Sequence, residues 1–138
     1  MRVSQRLDYS IRLLVALAAR PAGEFVGAGE LAESLGMPRR FLELQATALA
    51  KTGLITCRRG TGGGCALAKP AHSVTLTQVI EAVEGTLLDV PLTSDSASAE
   101  TWASIATVIK EQLSSVTLAD LAARQREIDA ERTPMYFI

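Results

Sequence analysis

Two arginine clusters carry the most distinctive chemistry in this chain of 138 residues. Arg39 and Arg40 stand at the start of a stretch with helical period, and Glu43 follows them by one turn. An arginine there can donate to guanine O6 and N7 together, and a carboxylate one turn on can accept from a cytosine amino group, each such pair discriminating by about 1–3 kcal/mol. The bland alternative is that Glu43 pairs with Arg39 or Arg40 on a solvated helix face. The second cluster, Arg58-Arg59, opens the tip Gly60-Thr61-Gly62-Gly63-Gly64. Glycines without a Cβ let a backbone approach a polyanion closely, while an arginine beside them suits a narrow, electronegative groove. A phosphate-cradling P-loop is excluded, because no Gly-Lys-Ser/Thr follows Gly64.

The remaining reactive side chains point to little catalysis. Cys57 and Cys65 flank the tip, eight positions apart. They read either as a thiol switch, Cα atoms within about 7 Å permitting, or as small core hydrophobes beneath the tip; the residue type favours the second. His72 is the single histidine, so it has no second imidazole with which to share a metal, and neither a metal nor a cofactor is expected. No serine or cysteine stands beside a histidine base; Ser94, Ser96 and Ser98 read as loop composition, and Glu81 with Glu84 as a solvated face. An enzyme is not expected.

Elements to position these groups follow from the hydrophobic period. Ser4 precedes Leu7, Ile11, Leu14, Val15 and Ala18, which predicts a helix over Gln5–Ala19 with Arg6, Asp8, Ser10 and Arg12 outward, ended by Pro21 and Gly23. A short helix over Glu30–Leu35 ends at Gly36, and Pro38 opens a third that runs to Thr52 with Phe41, Leu42, Ala46 and Leu49 inward. Leu54–Cys57 and Cys65–Ala68 read as the strands of a hairpin. Thr75 with Gln78 caps a helix over Leu76–Glu84; Asp89–Ser98, with Pro91, reads as a loop; Ala99–Leu113 is the fifth helix; Thr117 with Asp120 caps the last, Leu118–Ala130, which Thr133-Pro134 closes. The order helix, short helix, tight turn, helix, hairpin is that of a winged helix-turn-helix, whose third helix can lie in a DNA major groove.

The whole is mainly α. Apolar residues make up 48% and charged residues 21%, an ordinary globular balance. The net charge of −1 conceals an asymmetry: ten basic and five acidic side chains give +5 over residues 1–70, while four basic and ten acidic give −6 over 71–138. The front half can face a polyanion; the rear half cannot. The longest apolar stretch, Leu13–Ala19, falls far short of the roughly 20 residues of a membrane span. No apolar run of signal-peptide type follows Met1, so a soluble cytoplasmic protein is expected. Val108, Ile109, Leu113, Leu118, Leu121 and Ile128 give more apolar stripe than a small head can bury, which predicts a dimer. Trp102 is expected to pack against the helix that follows or the partner subunit, and the apolar run Thr133–Ile138 against the dimer.

In order and spacing, Leu7-Asp8-Tyr9-Ser10, Gly29-Glu30-Leu31-Ala32-Glu33, Phe41-Leu42-Glu43, Lys51-Thr52-Gly53-Leu54, Arg59-Gly60-Thr61-Gly62-Gly63-Gly64, Val79-Ile80-Glu81-Ala82-Val83-Glu84-Gly85 and Thr117-Leu118-Ala119-Asp120-Leu121 make the chain resemble the winged helix-turn-helix transcription regulators of the IscR, NsrR and CymR type over about its first 120 residues. The resemblance implies a homodimer whose long fifth helix crosses its partner, with a DNA-binding head over 1–85 and a dimerisation region over 86–138. It implies a pseudo-palindromic double-stranded DNA site read by Arg39, Arg40 and Glu43. At the wing it implies Arg59 in the minor groove; the residues themselves allow Arg58 or Arg59 there beside Thr61 and Gly62, and place Arg2, Ser4, Gln5 and Lys51 to meet phosphates. Relatives that bind an iron–sulfur cluster carry three cysteines between the fourth and fifth helices; Thr86–Thr101 has neither cysteine nor histidine, so a cluster-free regulator is implied, with repression the favoured mode. Any effector would be sought first near Trp102 and the Thr86–Thr101 loop. The competing reading is a winged helix that docks a protein, or a regulator controlled by a partner protein on its acidic rear half.

Overall fold

A computed structural model describes residues 2–86, 88–89 and 95–132. The expected helix stop at Thr133-Pro134, the apolar run Thr133–Ile138, and Pro91 and Ser94 of the expected loop lie outside the described residues. Six helices and one hairpin follow in the order α1 (Gln5–Ala18), α2 (Ala28–Leu35), α3 (Arg39–Thr52), β1 (Ile55–Arg58), β2 (Gly64–Leu67), α4 (Leu76–Val83), α5 (Ala97–Ser114) and α6 (Leu118–Arg132), with a 3-10 turn at Ala71–Ser73. No helix of the described residues is long and apolar enough to cross a membrane.

Capping chemistry sets the helix starts. Ser4 Oγ accepts from Leu7 N at 3.0 Å to open α1, and Thr75 and Gln78 form a reciprocal capping box on α4. Thr117 and Asp120 do the same for α6, with N–H donors 3.0 and 3.1 Å from the opposing side-chain oxygens. Between α2 and α3 the chain turns at Gly36, whose left-handed φ of 65° ends α2. Pro38 stands at the N-cap of α3, one position ahead of the first turn assigned to it from the sequence.

Leu7, Leu13, Leu14 and Leu17 from α1 form the centre of the core, with Leu31 from α2, Leu42 and Leu49 from α3, and Val79 and Ile80 from α4 around them. Each such side chain contributes on the order of 1.5–3 kcal/mol by leaving water. Two placements differ from expectation. Ser10, assigned to the outer face of α1, is buried beside α3 with its hydroxyl 3.4 Å from Gln45 Oε1, because α1 is surrounded on more sides than a single stripe implies. Leu118, counted towards a dimer stripe, is fully buried in this chain's own core. Backbone hydrogen bonds carry α6 there: Leu76 N donates to Val116 O and Leu118 N to Val74 O, both at 2.9 Å.

The hairpin pairs Ile55 with Leu67, Thr56 with Ala66, Cys57 with Cys65 and Arg58 with Gly64. A third segment, unseen in the sequence pattern, completes it: Val26 and Cys65 exchange backbone hydrogen bonds at 2.8 and 2.9 Å. The approach is so close that a Cβ on Gly64 would collide with the Val26 carbonyl, at a φ of 141° that already favours glycine. One segment departs from this compactness. None of the 18 residues of α5 is buried, and Trp102, Ile105 and Val108 stand exposed along it.

Because Leu118 completes the core, Leu118→Ala should cost about 2–5 kcal/mol in urea unfolding. A loss under 1 kcal/mol would mean that α6 is an appendage and not part of the head.

Candidate nucleic-acid interface

Helix α3 presents Arg39, Arg40, Glu43, Leu44 and Thr47 to solvent, because Leu42, Ala46 and Leu49 take the opposite face into the core. Arg39 Nε donates to Glu43 Oε1 at 3.1 Å, so the surface-pair alternative holds for Arg39 in the free protein. The pair is exposed on both sides, and such i,i+4 pairs contribute only about 0.3–0.5 kcal/mol, little enough to be exchanged for a base edge. Arg40 has no ion pair among the described residues. Leu44, which the sequence reading passed over, is 62% exposed; the signal was available in the helical period, which sets position 44 outward beside 40 and 43.

On the hairpin, Arg58 and Arg59 part company. The Arg58 guanidinium lies 4.1 Å from the centroid of the Phe25 ring, a cation–π contact that braces the wing against the segment before α2. Arg59 is exposed and has no ion pair or hydrogen bond among the described residues. Thr61 and Gly62 stand exposed at the tip, and no atom lies within 4 Å of where a Gly62 Cβ would point. No hydrogen bond or ion pair joins these tip residues to α3 among the described residues.

Arg2 and Gln5 are exposed at the start of α1, as is Lys51 at the end of α3, and none of the three has a side-chain hydrogen bond or ion pair among the described residues. Ser4, expected to meet phosphate, is already committed: its hydroxyl donates to Glu84 Oε1 while accepting from Leu7 N. Arg6 joins it, donating to Glu84 Oε2 and to Val83 O at 3.1 Å each. Glu84 is therefore no solvated residue; it ties the end of α4 to the start of α1. The Ser4 hydrogen bond, then Arg6, hold its carboxyl below the ordinary carboxylate range against the opposing effect of desolvation. Glu81, exposed, lies 3.8 Å from Lys110. Across residues 1–70 the pattern is consistent: Arg6, Arg12, Arg20 and Arg39 have carboxylate partners, while Arg2, Arg40, Lys51, Arg58, Arg59 and Lys69 have none among the described residues.

Cys57 and Cys65 lie opposite each other, but only Cys65 is buried. The reading of both as core filler fails for Cys57, which sits where the hairpin leaves the core. Trp102 is 47% exposed and is not part of the core among the described residues. The small cavity nearby, about 190 Å³, lies between α4 and α5 and is lined by Thr86, Leu88, Ile80, Ile109 and Leu113, away from the tryptophan.

The family model described as Rrf2, iron-dependent transcriptional regulator, matches residues 3–124. This chain belongs to the Rrf2 family. Rrf2 proteins are transcriptional regulators that bind DNA, and this chain is accordingly a DNA-binding regulator of the winged-helix type and not an enzyme. It is 30% identical over 131 residues to a Mycobacterium tuberculosis (strain H37Rv) protein named as an HTH-type transcriptional regulator, Rv1287, covering 88% of this chain and 81% of the relative. CymR of Bacillus subtilis (strain 168) is 28% identical over 125 residues, covering 89% of this chain and 91% of CymR. The solved structure of that CymR, the global cysteine regulator of B. subtilis, superposes with a TM-score of 0.79 at 26% identity, over 90% of this chain and 98% of CymR. T. potens IscR shares the fold, with a TM-score of 0.74 at 24% identity over 99% of this chain and 94% of IscR.

The iron in the family's description does not suit the donors in this Rrf2 chain. Iron–sulfur ligation requires cysteine sulfur, with histidine as an occasional replacement. The two cysteines face each other on the hairpin, the single histidine is at position 72, and none of these lies in Thr86–Thr101. Among the described residues no group of three or more His, Cys, Asp or Glu side chains is placed to hold a metal ion.

The Glu84 contact makes a pH prediction. A carboxyl held below its unfolded value contributes stability that is full above the ordinary value of 4.5 and is lost as pH falls through the folded value. Glu84→Gln should therefore be less stable than the parent at pH 7, and the gap in denaturant midpoint should close on acidification below pH 4.5. A gap independent of pH would show that the carboxylate charge plays no part.

Proposed function

We propose that the protein is a homodimeric, sequence-specific repressor that needs no iron–sulfur cluster and reads a pseudo-palindromic site in the cytoplasm. Residues 1–85 form the DNA-binding head; 86–138 supply α5 for dimerisation and α6 to brace the head. The observation that carries this reading is the separation of cations in residues 1–70. Arg40, Lys51 and Arg59, which the DNA reading requires on α3 and the wing, lack carboxylate partners among the described residues, and Arg39 has only its exposed neighbour Glu43, whereas Arg6, Arg12 and Arg20 on α1 and beyond it are paired. An unpaired surface cation releases its benefit only against an external anion, and duplex DNA supplies one every few ångströms.

In this reading α3 enters a major groove. Arg40 takes a guanine edge, Arg39 and Glu43 exchange their mutual pair for base contacts, and Leu44 meets a thymine methyl group. Arg59 enters the adjoining minor groove with Thr61 and Gly62 against the backbone, while Arg58 holds the wing through Phe25. Arg2 and Gln5, set by the Ser4–Glu84 contact, meet phosphates at the start of α1. The exposed stripe Trp102, Ile105 and Val108 on α5 supports pairing with a second copy, which places two heads on one duplex. Repression needs only that the dimer cover a promoter. The protein-docking alternative would need an apolar wing or recognition face; the wing tip here is basic, and on α3 the exposed Leu44 stands among Arg39, Arg40 and Glu43.

The test uses a genomic duplex retained by the purified protein. Arg59→Ala should weaken binding and reduce the slope of log K against log salt by about one. Arg40→Ala should cost about 1–3 kcal/mol and relax preference at one base pair per half-site. If both variants bind like the parent, with the same salt slope, the interface is misassigned.

A further inference from the structure

We propose that Cys57 and Cys65 form a thiol–disulfide exchange site at the base of the wing, with Cys57 the attacking and Cys65 the resolving sulfur, and a small-molecule disulfide as oxidant. The geometry comes from the backbone. Cys65 directs both its N–H and its C=O at Val26, at 2.9 and 2.8 Å, so neither is available to β1. Its pairing with Cys57 is therefore a non-hydrogen-bonded one, the closer type, with Cα atoms about 4.5 Å apart. That lies within the range of about 4.4–6.8 Å in which a disulfide closes without backbone movement. The two sulfurs are already in contact at 2.8 Å, both as free thiols.

The two sulfurs differ in access. Cys57 is exposed and Cys65 is buried. Burial first, then the hydrogen bond and charge of Cys57, push the Cys65 thiol up to about 12. An oxidant thus meets Cys57, while Cys65 stays protonated behind it. The Cys57 thiolate attacks one sulfur of the oxidant, RSSR, and expels RS⁻, which takes up a proton; Cys57 becomes the mixed disulfide. That removes the Cys57 hydrogen bond and charge, the lesser causes of the raised Cys65 thiol, while burial, the largest, remains; the proton that Cys65 gives up on attack passes to the departing RS⁻. Cys65 then attacks Cys57 Sγ and expels the second RS⁻, again protonated to RSH. In sum the dithiol and RSSR give the wing disulfide and two RSH, with two electrons passing to the oxidant.

The consequence for DNA rests on the reading of the wing given above. Cys57 immediately precedes Arg58 and Arg59, so a group bonded to Cys57 stands beside the arm assigned to the minor groove. A mixed disulfide blocks that arm; closure onto Cys65 removes the added group and leaves two sulfurs that were already touching. The resolving cysteine thereby protects DNA binding from adducts.

The test treats reduced full-length protein with glutathione disulfide and follows it by intact mass and by titration against the retained genomic duplex. The parent should lose two hydrogens, recover them with dithiothreitol, and keep DNA affinity close to that of the reduced form. Cys65→Ala, which keeps a small apolar side chain, should instead retain one glutathionyl group. Its affinity should fall about tenfold or more, because the adduct brings net negative charge to the DNA face, and should recover on reduction. Cys57→Ala should not react. A parent that stays fully reduced or accumulates the adduct overturns the exchange site, and this readout needs no variant to fold. An adducted Cys65→Ala that binds as tightly as its reduced form overturns the protective role. Reduced parent that retains no duplex at all refutes the DNA reading of the wing while leaving the thiol chemistry to stand or fall by mass alone.

Discussion

The backbone exchange between Val26 and Cys65 is the constraint on which the wing depends. A two-stranded hairpin is only marginally stable in water, and here a single isolated bridge from Val26 ties its second strand to the segment before α2. It demands glycine at position 64, where the Val26 carbonyl leaves no room for a side chain. It sets Phe25 where Arg58 can lie across its ring. It also turns the polar groups of Cys65 away from β1 and so brings the two sulfurs together. Anchorage, arginine placement and the facing of the two thiols share this one contact.

Electrostatics then divides the labour of the cations. Those on α1 and at Arg20 are engaged with carboxylates; Glu30 and Glu24 surround Arg20 so well that its guanidinium is held above its ordinary value, chiefly by the Glu30 hydrogen bond. Exposed pairs of this kind contribute little to stability, but each one offsets a positive charge on α1 or at Arg20. On α3 and the wing, Arg40, Lys51, Arg58 and Arg59 have no carboxylate partner among the described residues, while Arg39 keeps its exposed pair with Glu43. The excess of acid lies in the rear half, the same half in which α5 leaves Trp102, Ile105 and Val108 exposed, so the apolar stripe and the basic surface belong to different parts of the chain.

Much of this was legible in the sequence, for identifiable reasons. Capping residues are local signals, and Ser4, Thr75 with Gln78 and Thr117 with Asp120 all act as their types and spacing indicated. The glycines that end α2 and α3 fixed the turn between the paired helices and the entry to the hairpin. Contacts between distant segments carried no such mark. Nothing near Val26 distinguishes it as a sheet partner 39 positions from Cys65; Ser10 resembles any polar residue on an outer face until α3 is laid over it. Leu118 looked like spare apolar surface because its partners in the core are donated by α1 and the segment before α4. The division between Arg58 and Arg59 could not be seen either, since it depends on where Phe25 comes to rest. The absence of loop cysteines, by contrast, is a matter of composition and was fully readable.

Central to this account is that α3 and the wing act together, twice, on one duplex. Selection of genomic fragments by the purified, reduced protein tests this most directly. The account predicts enrichment of a site with two-fold symmetry whose half-sites each show protection in a major groove and the adjoining minor groove. Enrichment of an asymmetric site with a single protected groove, or no enrichment by folded protein, would contradict it.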